Sequence, residues 1–244
     1  MSAGAAAPVP DDAAQVRSAL ALLRAAAAHG PAVFSTSFGA EDMVVLDLIR
    51  RNGLDIGLFT LDTGRLPEET YALMRVVEER YGRCVQTLFP DAAAVEALVA
   101  ANGINGFRDS VDKRKACCAV RKLEPLARGL AGKRAWVTGL RAQQSPTRAG
   151  LPARETDAQR GLEKFNPLHD WSAAQVWDYL HGNGVPYNAL HDRFYPSIGC
   201  APCTRAIAAG EDLRAGRWWW ENENAKECGL HPAARPAIGL QEIA

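Results

Sequence analysis

Ala32-Val33-Phe34-Ser35-Thr36-Ser37-Phe38-Gly39-Ala40-Glu41-Asp42 reads as three things in succession. Ala32 to Ser37 is a short buried strand, Phe38-Gly39-Ala40 is a turn, and a helix runs from Glu41 through Arg51 until Asn52-Gly53 ends it. A strand, a polar glycine turn and a helix N-terminus aim backbone N–H groups and the positive end of a helix dipole at whatever lies above them. Ser35, Thr36 and Ser37 add hydroxyls, so the turn suits an anion or a nucleotide. Neither a Walker lysine loop nor a G-x-G-x-x-G fingerprint is present, which sets aside the ordinary P-loop and dinucleotide readings. Taken alone, the same turn also fits a solvated connection in any α/β domain.

The unit repeats on either side. Upstream, Val16, Leu20 and Leu23 at helical spacing predict an amphipathic helix from about Asp11 to His29, closed by Gly30. Downstream, a strand at Ile56 to Thr60 leads through Leu61-Asp62-Thr63-Gly64-Arg65-Leu66 into a helix opened by Pro67-Glu68-Glu69 and running to about Tyr81. Arg83 to Leu88 is a third strand, Pro90-Asp91 starts a third such helix, and Ala135 to Thr138 is a fourth strand ahead of Gly139-Leu140-Arg141. The rhythm is that of an α/β fold, a parallel sheet with helices on both faces. Ligands in such sheets bind at the carboxyl ends of the strands, where Ser35 to Gly39 and Asp62 to Arg65 both fall. Ala142 to Gln159, with Ser145-Pro146-Thr147-Arg148, reads as a long polar loop. Ser172 then caps a helix carrying Val176, Trp177 and Leu180, and His169 and His181 read as capping or packing residues.

The 244 residues, 48% hydrophobic and 23% charged, fit one domain with a tail, placed at residues 1–220 and 221–244. Lys plus Arg and Asp plus Glu balance at 28 each, so no overall field points to nucleic acid or an anionic membrane. No stretch approaches the roughly 18 apolar residues of a membrane span, and the start lacks a signal-peptide pattern, so the expected compartment is the cytoplasm. In a reducing compartment six cysteines point to metal or catalysis before disulfides. Cys84, inside the third strand, reads as a small buried hydrophobe.

Cys117-Cys118 follows a charged approach and is surrounded in sequence by Lys113, Arg114, Lys115, Arg121 and Lys122, which would lower thiolate pKa values and offset an anionic centre. Cys200-Ala201-Pro202-Cys203 supplies two more thiols, and four suffice for tetrahedral zinc or an iron-sulfur cluster. A vicinal pair must splay its sulfurs, which suits separate irons better than one small ion, so the spacing favours [4Fe–4S]. A redox-active C-x-x-C dithiol is the alternative and leaves Cys117-Cys118 unexplained. Arg214 and Arg217 would share one face if helical and could clamp phosphate or sulfate. A solvated charged face is the commoner meaning of such a pair. Cys228, in Lys226-Glu227-Cys228-Gly229-Leu230-His231, lies outside any apolar pattern with a lysine and a histidine nearby, where a thiolate reacts rather than packs.

Together, the Ser37-Phe38-Gly39-Ala40-Glu41-Asp42 turn, Leu61-Asp62-Thr63-Gly64-Arg65, Cys117-Cys118-x-x-Arg121-Lys122, the later C-x-x-C and Glu227-Cys228-Gly229-Leu230-His231 resemble the assimilatory adenylyl-sulfate (APS) reductases of the APS/PAPS reductase family, over roughly Phe34 to His231. The resemblance implies an adenine-nucleotide α-hydrolase-like fold related to the ATP pyrophosphatases. It implies a [4Fe–4S] cluster on Cys117, Cys118, Cys200 and Cys203, and reduction of APS to sulfite and AMP by thioredoxin or a glutaredoxin-like protein in sulfate assimilation and cysteine biosynthesis. By family position, Cys228 attacks the sulfuryl sulfur to give an S-sulfocysteine, and Lys122, Arg214, Arg217 and His231 face the developing charge. Ser35, Ser37, Gly39 and Gly139 match the nucleotide cradle, with Asp62, Arg65, Arg141 and Arg148 as further substrate contacts. A homo-oligomer is also implied.

Three rivals follow. The sister phosphoadenylyl-sulfate (PAPS) reductases share the fold and tail cysteine but mostly lack the other four, and some cluster-bearing relatives accept both nucleotides. A non-catalytic iron-sulfur redox sensor or zinc-ribbon interaction protein would use the cysteines alone. An ATP-dependent adenylating enzyme would keep a Ser-Gly-Gly-x-Asp-Ser pyrophosphate loop, from which Ser37 to Asp42 departs through the bulk of Phe38.

Overall fold

Central strands of a parallel sheet are buried on both faces and therefore need apolar residues at successive positions. The computed structural model, which describes residues 9–10, 13–145 and 148–221, shows this in β1 (Ala32–Thr36), β2 (Gly57–Leu61) and β4 (Ala135–Val137). Phe34, Leu58, Ala135 and Val137 enter the larger core with residues of α1 (Ala14–His29), α2 (Ala40–Arg51), α3 (Glu68–Tyr81) and α7 (Ala173–Gly182). Val33, Phe59 and Trp136 point to the opposite face, against Leu126 and Leu130 of α6 (Glu124–Leu130). Alternation of period two thus places one core on each side of the sheet.

The six strands run in the order β3-β2-β1-β4-β6-β5, with β3 at Val85–Leu88, β5 at Arg154–Asp157 and β6 at Leu162–Phe165. All neighbours are parallel except β5 and β6. On one flank of the cores, the buried Asp47 carboxylate accepts from the hydroxyls of Tyr81 and Tyr179, both at 2.7 Å, and so fastens α2 to α3 and α7. Ser172 caps α7 in a capping box with Gln175, as the sequence predicts.

One expectation is corrected, and one condition is not met. The predicted polar loop at 142–159 contains β5, which with β6 forms a hairpin held by charged cross-strand pairs, Lys164 to Glu155 at 2.7 Å and Arg154 to Glu163 at 2.8 Å. Polar composition hid the strands because their stability comes from charge pairing and from the place of β6 beside β4. The segment 211–220 is not a helix; it is a succession of turns in which Arg217 bridges Thr204 in antiparallel fashion. The polar run before the cysteine pair is helical instead: α5 (Val111–Cys118), capped by Ser110, continues into a π-helical turn, Ala119–Leu123, and then α6. Such wide turns recur at functional sites. The remaining helix, α4 (Ala92–Asn102), is capped by Asp91.

Candidate active site and cysteine cavity

A cleft of about 280 Å³ opens at the carboxyl ends of β1, β2 and β4. Ser35, Ser37, Gly39, Gly139, Arg141, Arg148, Lys122, Arg214 and Arg217 all line it. Its floor is the β1–α2 turn. Phe38 is buried with φ 59°, a left-handed conformation costly for a bulky residue, and its N–H donates to Thr36 Oγ1 at 3.0 Å. The Ser37 N–H and hydroxyl both donate to Asp42 Oδ2, at 2.6 and 2.7 Å. Burial raises the Asp42 pKa to about 6 against the lowering effect of those two bonds. Gly139 is required for this seat, since a Cβ there would stand 2.0 Å from Asp42 Oδ1. Asp42 is a site residue that the sequence reading did not single out, although it closes the quoted turn.

The arginines divide by task. Arg141 is buried, donating to Glu41 Oε1 at 2.7–2.8 Å and to the Trp171 carbonyl at 3.2 Å, so it braces the cleft wall through α2. Arg148 donates to Gln144 Oε1. Arg214 and Arg217 reach the cleft although no helix aligns them. His191 also lines the cleft, with Nε2 buried and no hydrogen-bond partner among the described residues. Burial lowers its pKa, opposed by Glu41 and the Tyr195 backbone. No spacing motif marks it; its edge contact with the Trp177 ring, centroids 5.3 Å apart, is purely tertiary.

Asp62 and Arg65 do not line the cleft. The Asp62 carboxylate turns back to accept from Gly64 N–H at 2.8 Å and Tyr71 hydroxyl at 2.9 Å, closing its own turn. Arg65 points to a second, smaller cavity, stacks over Phe107 at 5.1 Å and donates to the Ile104 carbonyl. Their position at a strand end is as predicted, but side-chain direction is set by these local acceptors.

The second cavity, about 20 Å³, is lined by all four of Cys117, Cys118, Cys200 and Cys203, together with Arg65, Arg114, Arg121 and Lys122. Three distant segments meet here: α5 with its π-helical turn, the β2–α3 turn and the 200–203 turn. Cys200 Sγ lies 3.2 Å from Thr63 Oγ1, and Arg121 donates to the Thr63 carbonyl at 2.7 Å. Burial alone would raise the Cys200 pKa, but Lys122, the Thr63 bond, Arg217 and Arg121 outweigh it and bring it below the usual thiol value. Cys203 is pushed up to about 12 by burial and by Cys200. Burial likewise raises Cys117, against Arg121. The sulfurs ring the cavity without converging: among the described residues no three His, Cys, Asp or Glu side chains are placed to hold one ion. Four thiols around one space, faced by cations and by the buried, unpartnered Nε of Arg121, are a donor set that fits an anionic metal group. Cys84 is partly buried beside the main core, with its pKa raised by burial.

Cys228 and His231 lie outside the described residues, as do Lys226 and the tail 222–244. The described chain ends at Glu221, whose carboxylate grips Arg114 bidentately at 2.7 and 2.8 Å, with the two side chains only 3% and 1% exposed.

The mostly parallel, doubly covered sheet with a hydroxyl-rich turn and a cleft over its carboxyl edge is an adenine-nucleotide α-hydrolase-like fold, as its likeness to a solved PAPS reductase shows. The sequence profile described as the phosphoadenosine phosphosulfate reductase domain matches residues 31–206, and the chain belongs to that family. It is 61% identical over 214 residues to the adenosine 5'-phosphosulfate reductase of Allochromatium vinosum, covering 84% of each chain. With the protein of the same description from Burkholderia cepacia it shares 51% over 231 residues, 94% of this chain and 92% of the other. Among solved structures, the phosphoadenylyl-sulfate (PAPS) reductase from Candida auris in its phosphate complex superposes with a TM-score of 0.65 at 30% identity, covering 78% of this chain and 90% of that one. The Candida glabrata FMN adenylyltransferase in complex with ATP shares the fold alone, with a TM-score of 0.52 at 16% identity over 93% of this chain and 80% of that one.

Proposed function

We propose that this protein is a thioredoxin-dependent APS reductase that converts adenosine 5'-phosphosulfate to sulfite and AMP. The observation that carries the reading is the common wall of the two cavities: Lys122, Cys200 and Trp218 line both the nucleotide-sized cleft and the cysteine cavity. Identity of 51% to 61% to relatives described as APS reductases supports APS over PAPS.

The nucleotide sits over the β1–α2 turn, with the Ser35–Gly39 and Gly139 segments around it and its phosphosulfate toward Lys122, Arg214 and Arg217. These cations stabilise charge that grows on the leaving phosphate. The Cys228 thiolate attacks the sulfuryl sulfur; a sulfur–sulfur bond forms, the bond from sulfur to the bridging phosphate oxygen breaks, and AMP departs. His231, three residues on, serves as a further cation for this step. A thioredoxin thiolate then attacks Cys228 Sγ, expelling sulfite, and the second thioredoxin thiol resolves the mixed disulfide with release of the Cys228 thiolate. The reductant's dithiol thus supplies both electrons. A [4Fe–4S] cluster would be held by Cys117, Cys118, Cys200 and Cys203 and would supply a fixed charge and sulfur acceptors next to Lys122. Cys228 lies seven positions beyond Glu221, a length of chain that spans at most about 25 Å fully extended.

Among the described residues no helix is long and apolar enough to cross a membrane, and we place the reaction in the cytoplasm, in a homo-oligomer. The test is mass spectrometry after exposure to APS without reductant. A sulfite-sized addition on the Cys228 peptide, absent in Cys228→Ser, is expected; an adduct on Cys84 instead would sink the assignment.

A further inference from the structure

We propose that Gly199 and Trp218, which both line the cleft, form a clamp that positions the Arg217 guanidinium there and so set the affinity for the nucleotide's anionic end through Arg217. This rests on the reading of Arg217 as a ligand of the substrate's anionic end.

No helical periodicity aims Arg217, so something else must. Its guanidinium carbon lies 4.7 Å from the centroid of the Trp218 ring. Gly199 closes against the same group: a Cβ there would stand 2.3 Å from Nη2, 2.6 Å from Cζ and 2.8 Å from Nη1. Gly199 is not in the left-handed region, so the demand at this position is for closeness and not for a turn. Nη1 also approaches Ser197 Oγ at 3.4 Å. A planar cation laid between an aromatic ring and bare backbone keeps its orientation before ligand arrives, which reduces the ordering cost of binding.

The clamp is itself fixed. Trp218 is 1% exposed and has φ 41°, a conformation that persists in a bulky residue only when its surroundings over-determine it. Arg114 lies 4.6 Å from the same ring and is held bidentately by Glu221. Gly199 N–H donates to Thr204 Oγ1 at 3.1 Å, and Thr204 bridges Arg217, so both jaws share one local register.

The test reads binding in the full-length Cys228→Ser protein, where chemistry is blocked, by calorimetric titration with APS and with adenosine. Gly199→Ala pushes the guanidinium aside without removing any side chain, and Trp218→Leu removes the ring. Each is expected to weaken APS binding roughly tenfold to a hundredfold, the loss of one charge-assisted contact, with adenosine affinity unmoved. Trp218→Phe keeps an aromatic face and should stay within about threefold. In an Arg217→Ala background, Gly199→Ala should add nothing. The clamp is overturned if Gly199→Ala weakens adenosine equally, if its effect persists without Arg217, or if Trp218→Phe is as damaging as Trp218→Leu. Should Arg217→Ala alone leave APS affinity intact, the reading of Arg217 falls first and takes the clamp with it. Gly199→Ala decides the matter even where Trp218→Leu does not fold.

Discussion

Replacing Asp42 by Asn should change how stability depends on pH more than it changes stability at any one pH. The Asp42 carboxyl is buried under the cleft, and its pKa is raised from 3.8 to about 6, chiefly by burial, despite two bonds from Ser37. The gap is worth about 3 kcal/mol at 1.36 kcal/mol per pH unit. Between these values the folded protein binds a proton that the unfolded chain has released. The protonated carboxyl therefore favours the fold at low pH, and that advantage is lost as the pH rises through about 6. An asparagine oxygen can still accept from the Ser37 N–H and hydroxyl but carries no charge to desolvate. Urea unfolding of both proteins from about pH 4 to about pH 7 should show the wild type losing about 2 kcal/mol relative to Asp42→Asn across that range, the rest of the difference lying below pH 4. A difference that stays flat, or one that moves in favour of the wild type with rising pH, would refute the argument that desolvation dominates this carboxylate.

Lys122→Ala should lower kcat/KM for APS by about 10²- to 10³-fold, because a fixed cation facing developing charge is lost; steady-state kinetics check this, and a change below about threefold would remove Lys122 from the site. Glu221→Ala should cost about 3–5 kcal/mol in unfolding free energy by leaving Arg114 charged and buried without its carboxylate, whereas the pair Arg114→Met with Glu221→Leu should recover most of that loss. A single variant of wild-type stability would show that the bidentate contact does not hold the end of the described chain.

The repeating strand-turn-helix units were legible because central parallel strands must be apolar on both faces and because Gly30 and Asn52-Gly53 end the first two helices. The cleft at the carboxyl edge followed from that topology. The β5–β6 hairpin was not legible, since Arg154, Glu155, Glu163 and Lys164 look like loop until the register pairs them. Arg214 and Arg217 were named by family position, and they line the cleft without the helix on which their three-residue spacing would have aligned them. The four cysteines could be grouped from the sequence because separate motifs pointed to one donor set, and the structure brings them to one cavity. Asp62 and Arg65 show the limit of spacing arguments, which place a Cα and say nothing of which acceptor captures the side chain. His191 carries no motif at all, and only the packing around Trp177 brings it to the cleft.

The wall of Lys122, Cys200 and Trp218 between the two cavities is one side chain thick. In evolutionary terms the two chambers are therefore not modules. A descendant that discards the four cysteines exposes the back of its own nucleotide cleft and must rebuild that partition, so losses at 117, 118, 200 and 203 should travel with replacements at 122 and 218 or in their immediate neighbours. For protein engineering the same constraint means that grafting this cleft onto a cysteine-free scaffold requires transplanting the partition as well as the cradle.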